Sequence, residues 1–339
     1  MKTLDAILPK TRLLFLSIIL LISLLCIQPA MATDAWFSTY DISDESAVWA
    51  DLIAPITVLD AGEKEAVYLL DVPNGKKQTK AKYAGYVNGA SAAVRVIGED
   101  ENGWTLVEGY DMRDNLIQGY VKTSKLKTVT PDQHIGIVVD KLTQRMYIFE
   151  DGHKISELLV STGLPNKKQP YNETASGQYL CISWSGGFWS GNMWCDMAIR
   201  FNGGDKLHLV PALINNDKTK NYSPFETKLG YKASHGCIRV QRLKNSEGIN
   251  MKWLWDNLRK GTKIMIWDDD GRVMTYPADD YPLYYNSNGG QYYHADANCP
   301  GVKQQYLPLT EFTYGVLNEK PFSKLKPCGS CVPPFRKQE

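Results

Sequence analysis

The chain lacks an excess of either charge. Its 339 residues include 38 Lys and Arg against 37 Asp and Glu, and 43% of the residues are hydrophobic. A nucleic-acid-binding protein usually carries a basic face, and this balance gives no reason to expect nucleic acid as a partner. The sequence also has no internal repeat and no low-complexity segment. These absences indicate an ordinary globular protein, long enough for two or three domains.

The apolar run near the N-terminus is short for a membrane-spanning helix. Residues 13–27 form an uncharged, mainly apolar stretch of 15 residues, whereas a spanning helix needs about 20. Basic residues precede this stretch, and the small-x-small site Ala30-Met31-Ala32 follows it. That order is typical of a signal peptide. We therefore predict that residues 1–32 are a cleaved signal peptide and that the protein is exported to the cell wall; an uncleaved membrane anchor is the alternative.

Short apolar runs separated by turn residues begin at residue 67, after a lead-in segment at 33–66. Runs at 67–70, 93–97 and 104–107 alternate with Pro-Asn-Gly and Glu-Asn-Gly turns, a spacing that predicts a small β-barrel. The pattern Val-Ile-Gly-Glu at 96–99, Asn-Gly-Trp at 102–104 and Gly-Tyr-Val at 119–121 resembles a bacterial SH3-like domain over residues 67–128. The resemblance implies either a module that binds cell-wall peptides or an inert spacer.

The next stretch, residues 134–268, also has strand-like patterns. Apolar runs at 135–139, 146–149, 155–160, 177–182 and 262–267 predict strands. Residues 183–203 are rich in Gly, Trp and Asn and predict a long loop or lid. Ile249, Trp253, Leu254 and Leu258 recur at helical spacing, with Asn245 or Ser246 as the expected N-cap.

One cysteine in this region has neighbours suited to nucleophilic catalysis. Cys237 ends the run Ser234-His235-Gly236-Cys237. The thiolate is the nucleophile, so an active cysteine needs a positive or donor-rich environment. Gly236 permits a tight turn, and backbone amides near it can face a developing oxyanion. Arg239, two residues on, projects to the same side as Cys237 in an extended segment.

The run KASHGCIRV at 232–240 closely resembles the signature of the L,D-transpeptidases, the YkuD-like catalytic domain. The segment LHLVP at 207–211 matches the upstream histidine segment of that family. The resemblance spans about residues 134–268 and implies a mainly β chain, with a YkuD-like β-sandwich or barrel and a short helix. The 29-residue separation of His208 and Cys237 exceeds the commonest family spacing. The excess falls at 215–228, which we interpret as an insertion on the rim of the site.

The same resemblance implies a role for each residue of the motif and a reaction without a cofactor. Cys237 attacks an acyl carbonyl of a peptidoglycan tetrapeptide stem, and His208 moves the proton between the thiol and the leaving amine. Ser234, His235 and the backbone of Gly236 shape the site, while Arg239 orients the loop or holds a substrate carboxylate. Trp189 and Trp194 line a substrate groove or pack against the core.

The resulting thioester leaves more than one outcome open. Transfer to an amine of a second stem gives a cross-link, and transfer to water makes the protein an L,D-carboxypeptidase. Carbapenem-type inhibitors are expected to acylate the same cysteine. A wall hydrolase of the NlpC/P60 type fits less well, because those enzymes place the cysteine before the histidine. A wall-binding protein without activity is a further alternative.

The C-terminal stretch 281–339 carries a separate group of metal-ligand residues. Three cysteines and one histidine supply four N and S ligands, a set suited to tetrahedral zinc: His294, Cys299, Cys328 and Cys331. The layout resembles small zinc-binding modules with a Pro-Cys-x-x-Cys. Because exported cysteines tend to pair, a Cys328–Cys331 disulfide is the alternative. A structural zinc also fits a scheme in which Cys181 pairs with Cys195 and Cys237 stays free.

Overall fold

The computed structural model describes residues 36–98 and 102–337. The predicted signal peptide, residues 1–32, lies outside the described residues. Within the described ranges, no helix is long and apolar enough to cross a membrane. Residues 36–38 are bends at the end of a first compact unit, and the chain from Thr39 onward belongs to a second.

The second unit opens with a helix and two small antiparallel sheets. Helix α1 (Glu45–Ile53) is capped by Asp44, whose side chain accepts the Ala47 N–H at 3.1 Å. The strands that follow are β1 (Ile56–Leu59), β2 (Ala66–Tyr68), β3 (Tyr86–Asn88), β4 (Ala93–Val96), β5 (Trp104–Tyr110), β6 (Leu116–Lys122) and β7 (Leu126–Val129). They form a five-stranded sheet in the order β6-β5-β4-β1-β7 and a β2-β3 hairpin. Strand β1 falls in the stretch that the sequence suggests as a lead-in, so this sheet begins before residue 67.

The central region is built on a nine-stranded mixed sheet. Its strands and helices are β8 (Ile135–Asp140), β9 (Arg145–Glu150), β10 (His153–Ser161), β11 (Gly177–Leu180), β12 (Ser183–Trp184), β13 (Phe188–Ser190), β14 (Met193–Cys195), β15 (Ile199–Asn202), β16 (Asp205–Leu209), β17 (Leu213–Ile214), β18 (Lys220–Asn221), α2 (Ser223–Glu226), β19 (Ile238–Val240), α3 (Met251–Asn257) and β20 (Lys263–Trp267). The strand order is β11-β20-β8-β9-β10-β19-β16-β15-β12, and β13-β14 and β17-β18 are separate hairpins.

The pairing of β16 with β19 positions the site. These two strands are parallel, and His208 lies opposite Arg239 in the register. Cys237 immediately precedes β19, so the parallel pairing brings the upstream histidine segment beside the cysteine motif. The strands are buried along their whole length, as expected for strands covered on both faces.

Two local predictions in this region are wrong. Residues 183–203 are not one long loop: they hold β12, the β13-β14 hairpin and β15. Helix α3 begins after Asn250, whose side chain accepts the Trp253 N–H at 3.1 Å, and neither Asn245 nor Ser246 is the cap. Asn245 instead accepts the Ile249 N–H at 2.9 Å and donates to Ser156 Oγ at 2.6 Å. An asparagine that caps a helix and one that hydrogen-bonds within a loop cannot be told apart from the sequence alone.

The C-terminal region forms a four-stranded sheet. Its strands are β21 (Pro282–Tyr285), β22 (Tyr292–His294), β23 (Thr310–Thr313) and β24 (Lys326–Pro327), in the order β23-β21-β22-β24. Five 3-10 helices complete the described residues: Thr123–Lys125, Pro170–Asn172, Gln304–Tyr306, Tyr314–Val316 and Phe322–Lys324. The first sheet and the central sheet share one hydrophobic core, whereas the C-terminal sheet has small clusters of its own.

Candidate active site

The loop that carries Cys237 is held by buried hydrogen bonds. Gly236 has φ of +115°, a conformation that L side chains rarely adopt. Thr174 Oγ1 donates to the Gly236 carbonyl at 2.8 Å and accepts the Gly163 N–H at 2.8 Å. Ser234 Oγ accepts the Gly236 N–H at 3.2 Å and donates to the Cys237 carbonyl. The turn before Cys237 is therefore fixed on both sides of its glycine.

His208 is buried and oriented. Its side chain is 3% exposed, and its Nδ1 lies 2.7 Å from the carbonyl of Leu209. A hydrogen bond to a carbonyl requires a proton on Nδ1, which leaves the lone pair on Nε2. Phe188 packs edge-on against the imidazole, with the ring centroids 5.5 Å apart. Burial lowers the pKa of His208 to about 4, so the ring is neutral at pH 7 and can accept a proton.

A small cavity of about 30 Å³ brings the predicted residues together. Its wall combines the motif with the β13-β14 hairpin: Phe188, Ser190, Met193, Cys195, His208, Pro211, Ser234, His235, Cys237 and Arg239. Cys237 is partly exposed in this cavity. The structure thus gathers the predicted nucleophile, base and arginine around one space, where they can act on the same substrate atom.

The electrostatics of Cys237 favour a neutral thiol at rest. Burial and then the nearby Asp205 carboxyl raise the thiol pKa, while the Lys206 N–H, which hydrogen-bonds the sulfur, lowers it. Arg239 is 5% exposed, and burial lowers the pKa of its guanidinium. Among the described residues Arg239 forms no ion pair with a carboxylate, which leaves it available to a substrate carboxylate.

The remaining predicted residues take different positions. His235 is exposed and borders a second, larger cavity as well as the small one. Trp189 and Trp194 pair across the hairpin with ring centroids 5.3 Å apart, but neither lines the small cavity. Side chains alternate along a strand, and their neighbours Phe188 and Cys195 face the cysteine instead.

Residues 134–266 match the family model of the L,D-transpeptidase catalytic domain, YkuD. The curated Bacillus subtilis protein "Putative L,D-transpeptidase YciB" is 30% identical over 142 residues, which are 40% of this chain and 66% of that protein. Residues 134–266 are a YkuD L,D-transpeptidase catalytic domain. The chain thus spans somewhat less than two thirds of the curated relative that it matches.

Solved structures of L,D-transpeptidases are similar to parts of this chain. The enzyme from Stackebrandtia nassauensis is 23% identical, with 41% of this chain and 57% of that chain covered and a TM-score of 0.29. The Mycobacterium smegmatis enzyme is 14% identical, with 64% and 92% covered and a TM-score of 0.32. The Mycobacterium tuberculosis L,D-transpeptidase 3, solved with a faropenem-derived adduct, is 14% identical, with 52% and 79% covered and a TM-score of 0.31.

A buried ion cluster braces the YkuD domain beneath the motif. The fully buried Lys141 contacts Asp114 and lies 3.4 Å from Glu173 and 3.7 Å from Asp269. Lys232 lies 3.2 Å from the same Glu173 and 2.7 Å from Asp269. Burial opposes the charge of Lys141, but the surrounding carboxylates outweigh it and raise its pKa. This cluster links the turn after β5 to the residues that precede the cysteine motif.

Thr174 and Asp205 are site residues that sequence reasoning missed. Thr174 lies three residues before the start of β11, and nothing local distinguishes it from any other loop threonine. Asp205 begins β16 three residues before His208, an acidic residue at the start of a buried strand. That mismatch between residue type and predicted burial was the available signal.

The C-terminal side chains predicted as metal ligands converge. The donor atoms of His294, Cys299, Cys328 and Cys331 all lie within 4.8 Å of one another. Cys299 Sγ is 3.8 Å from Cys328 Sγ, and Cys331 Sγ is 3.6 Å from His294 Nδ1. Tetrahedral zinc with Zn–S near 2.3 Å and Zn–N near 2.05 Å places two sulfur ligands about 3.8 Å apart, and a sulfur and a nitrogen ligand about 3.6 Å apart. The residues therefore fit a zinc ion.

The cysteines of the described residues are all free, including the pair considered in the sequence scheme. Cys181 lies in the shared hydrophobic core, and burial raises the pKa of its thiol. Cys195 faces the small cavity beside Cys237, and burial raises its pKa to about 11. Cys181 and Cys195 thus occupy separate environments.

Proposed function

We propose that the protein is a peptidoglycan L,D-transpeptidase that forms cross-links through a Cys237 thioester. The observation that carries the proposal is the shared cavity of Cys237, His208 and Arg239, with His208 held in one tautomer by the Leu209 carbonyl. A neutral imidazole beside a neutral thiol can remove the thiol proton during attack, which is the arrangement that general-base activation needs.

In the acylation step, the sulfur of Cys237 bonds to the acyl carbon of a donor tetrapeptide while His208 takes the thiol proton. The C–N bond to the terminal D-Ala then breaks, and His208 returns the proton to the leaving amine. Arg239 has no carboxylate partner among the described residues and would hold a carboxylate of the donor. The products are a thioester on Cys237 and a free amino acid, with His208 neutral again.

In the transfer step, an amine of a second stem attacks the thioester carbonyl, the C–S bond breaks, and the amine proton passes through His208 to the sulfur. A water molecule in place of the amine would give an L,D-carboxypeptidase. The two activities share the acyl-enzyme and differ only in the acceptor, so products decide between them. A synthetic tetrapeptide should give a cross-linked dimer rather than a tripeptide alone.

The first experiment measures the intact mass of the protein by mass spectrometry after incubation with a carbapenem. A β-lactam carbonyl acylates the nucleophile and leaves a stable adduct, so we expect one adduct that is lost in Cys237→Ala and strongly slowed in His208→Gln. Cys195→Ser is the matched control, because it removes a second sulfur from the same cavity. An adduct that persists in Cys237→Ala, or that disappears in Cys195→Ser, would refute the assignment of the nucleophile.

We also propose that the C-terminal cluster holds a structural zinc ion. Four protein ligands leave no open coordination position, so such an ion would stabilise the fold and take no part in catalysis. The Cys328-to-Cys331 turn hydrogen-bonds the YkuD domain: Gln241 Nε2 donates to the Gly329 carbonyl at 2.8 Å, and the Ser246 N–H donates to the Ser330 carbonyl at 2.9 Å. Metal binding would thereby support the segment that follows β19.

The cellular setting and the accessory regions complete the proposal. We propose that the protein is exported, works at the cell wall and acts on peptidoglycan stem peptides. Residues 67–128 would serve as an SH3-like module and residues 281–339 as a Cys/His module. Export can be tested by fractionating cells that express the full chain and by sequencing the N-terminus of the mature protein. An unprocessed cytoplasmic chain would contradict this part.

A further inference from the structure

A second cavity shares the lining residue His235 with the small one. Its volume is about 330 Å³, against about 30 Å³ for the cavity around Cys237. One wall comes from residues that precede the YkuD domain and includes Lys64, Tyr83 and Tyr86; the other comes from the YkuD domain and includes Gly204 and Asp205. The space is open and lies directly beside the cysteine motif. We call it the tyrosine cleft.

The tyrosine cleft is bordered by the buried carboxyl group of Asp205. Asp205 is 7% exposed, and its Oδ2 has no hydrogen-bond partner among the described residues. A buried polar atom of this kind is costly unless something satisfies it. A β-carbon added at Gly236 would lie only 2.5 Å from Asp205 Oδ1, so the carboxyl group sits against the residue that precedes Cys237.

No cation forms an ion pair with this carboxyl group within the described part of the chain. The guanidinium of Arg200 lies close enough to influence it, but Arg200 donates to the Gly203 carbonyl and faces Glu63 at 3.9 Å. Burial raises the pKa of Asp205 to about 8, and a cation docked beside it would lower that pKa and favour the ionised carboxylate. Arg200 alone does not satisfy the Oδ2 of Asp205, so a cationic ligand could supply the missing hydrogen bond.

We propose that Asp205 is the residue that binds and deprotonates the acceptor amine, and that the acceptor peptide enters through the tyrosine cleft. The ligand is a primary ammonium group carried by a peptide, and the inference rests on the proposed function. The space around Cys237 is about 30 Å³, whereas the tyrosine cleft offers about 330 Å³ for a second peptide. His235 borders both spaces, so an amine beside Asp205 lies next to the thioester.

The proton balance of the transfer step follows from this assignment. The ammonium group docks against the Asp205 carboxylate and gives it one proton, which leaves a neutral amine. The amine nitrogen bonds to the thioester carbon, and its second proton passes to His208. The C–S bond breaks, and the sulfur takes that proton from His208. Asp205 then releases its own proton to solvent through the tyrosine cleft, and both residues return to their starting states.

The test separates the two half-reactions in Asp205→Asn. The Asp205 carboxylate raises the pKa of the Cys237 thiol, so its removal should leave carbapenem adduct formation at least as fast as in the wild type. Dimer formation from a tetrapeptide donor and a lysine-containing acceptor should fall at least tenfold, because a general base contributes about 100-fold or more. Asp217→Asn, at an exposed turn, is the matched control and should change neither rate.

Each outcome decides between the hypotheses. An unchanged rate of dimer formation in Asp205→Asn, or an equal loss in both half-reactions, would overturn the role of Asp205. A wild-type protein that forms no adduct on Cys237 would instead overturn the proposed function.

A measurement on the wild type avoids any dependence on the folding of the variant. The carbapenem-acylated protein should bind the lysine-containing acceptor at least tenfold more tightly than the same peptide with norleucine, which lacks the amine. Equal affinities would also overturn the proposal.

Discussion

Thr174→Val removes the hydroxyl that joins three parts of the catalytic loop while keeping the shape of the side chain. In the wild type the Thr174 hydroxyl accepts the Gly163 N–H and donates to the Gly236 carbonyl, each at 2.8 Å. Thr174 is 0% exposed, so water cannot replace the lost bonds without entering the loop. Each unsatisfied buried group costs about 1–3 kcal/mol. With two such groups, we expect the free energy of unfolding to fall by about 2–6 kcal/mol.

The same substitution should slow acylation, because the Gly236 carbonyl belongs to the turn that aims Cys237. A misplacement of about 1 Å can cost about 100-fold in rate, so a loss of tenfold or more is expected. Denaturant unfolding measures the stability, and carbapenem adduct formation at a temperature where the variant is folded measures the rate. Thr174→Ser is the control, since it keeps the hydroxyl and should lose only about 1 kcal/mol. Wild-type stability and rate in Thr174→Val would refute the reasoning.

Three further predictions concern Gly236, Asp205 and the zinc site. Gly236→Ala places a side chain at φ +115° and 2.5 Å from Asp205 Oδ1. We expect the free energy of unfolding to fall by about 1–3 kcal/mol and carbapenem adduct formation to be lost. An unfolding curve equal to that of the wild type would contradict this. Burial raises the pKa of Asp205 from 3.8 to about 8, so the folded state binds the proton more tightly and stability falls as the pH rises through that window. Asp205→Asn should therefore be a few kcal/mol more stable than the wild type at pH 8 and similar at pH 4; urea unfolding at both pH values checks this, and an equal difference at both would count against it. Elemental analysis should find one zinc per chain, chelation should lower the melting temperature, and Cys328→Ser should abolish both effects; a metal-free protein with unchanged melting would exclude the zinc site.

The Asp205 prediction implies a conflict between stability and activity. A buried carboxyl group without a partner destabilises the folded protein, and an asparagine would fit the same space at lower cost. Sites that bind a charged ligand carry such groups because the ligand supplies the missing partner. The stability gain and the transfer loss in Asp205→Asn should therefore occur together.

Local patterns in the sequence were sufficient for several parts of this fold. The apolar runs at 135–139 and 146–149 predicted β8 and β9, because buried strands of Val, Ile and aromatic residues have a characteristic composition. The Ser-His-Gly-Cys run pointed to the catalytic family, since its residue types are adjacent in the chain. Helix α3 was also expected, but its start was misplaced because Asn245 and Asn250 offer the same side-chain acceptor.

Other features depend on residues that are far apart in the chain. The hairpin of Phe188 and Cys195 lines the cavity of the nucleophile, and the strands on either side of it, β12 and β15, follow β16 at one edge of the central sheet. The exposed and covered faces of that hairpin could not be assigned from its sequence, so the groove role of Trp189 and Trp194 stays a prediction. The candidate ligands of the C-terminal cluster were predicted from the Cys-x-x-Cys spacing with a further Cys and His, but the distances between their donor atoms were not.

The sequence by itself determined the mainly β class, the motif around Cys237 and the candidate ligands of the C-terminal cluster. Each of these depends on residues that are close together in the chain or on short runs of apolar residues. Only the tertiary structure decided that His208 lies opposite Arg239, that Thr174 holds the Gly236 carbonyl and that the Oδ2 of Asp205 has no hydrogen-bond partner among the described residues. Those facts depend on strand register and on which surfaces meet, and both are set by the packing of distant segments into one shared core.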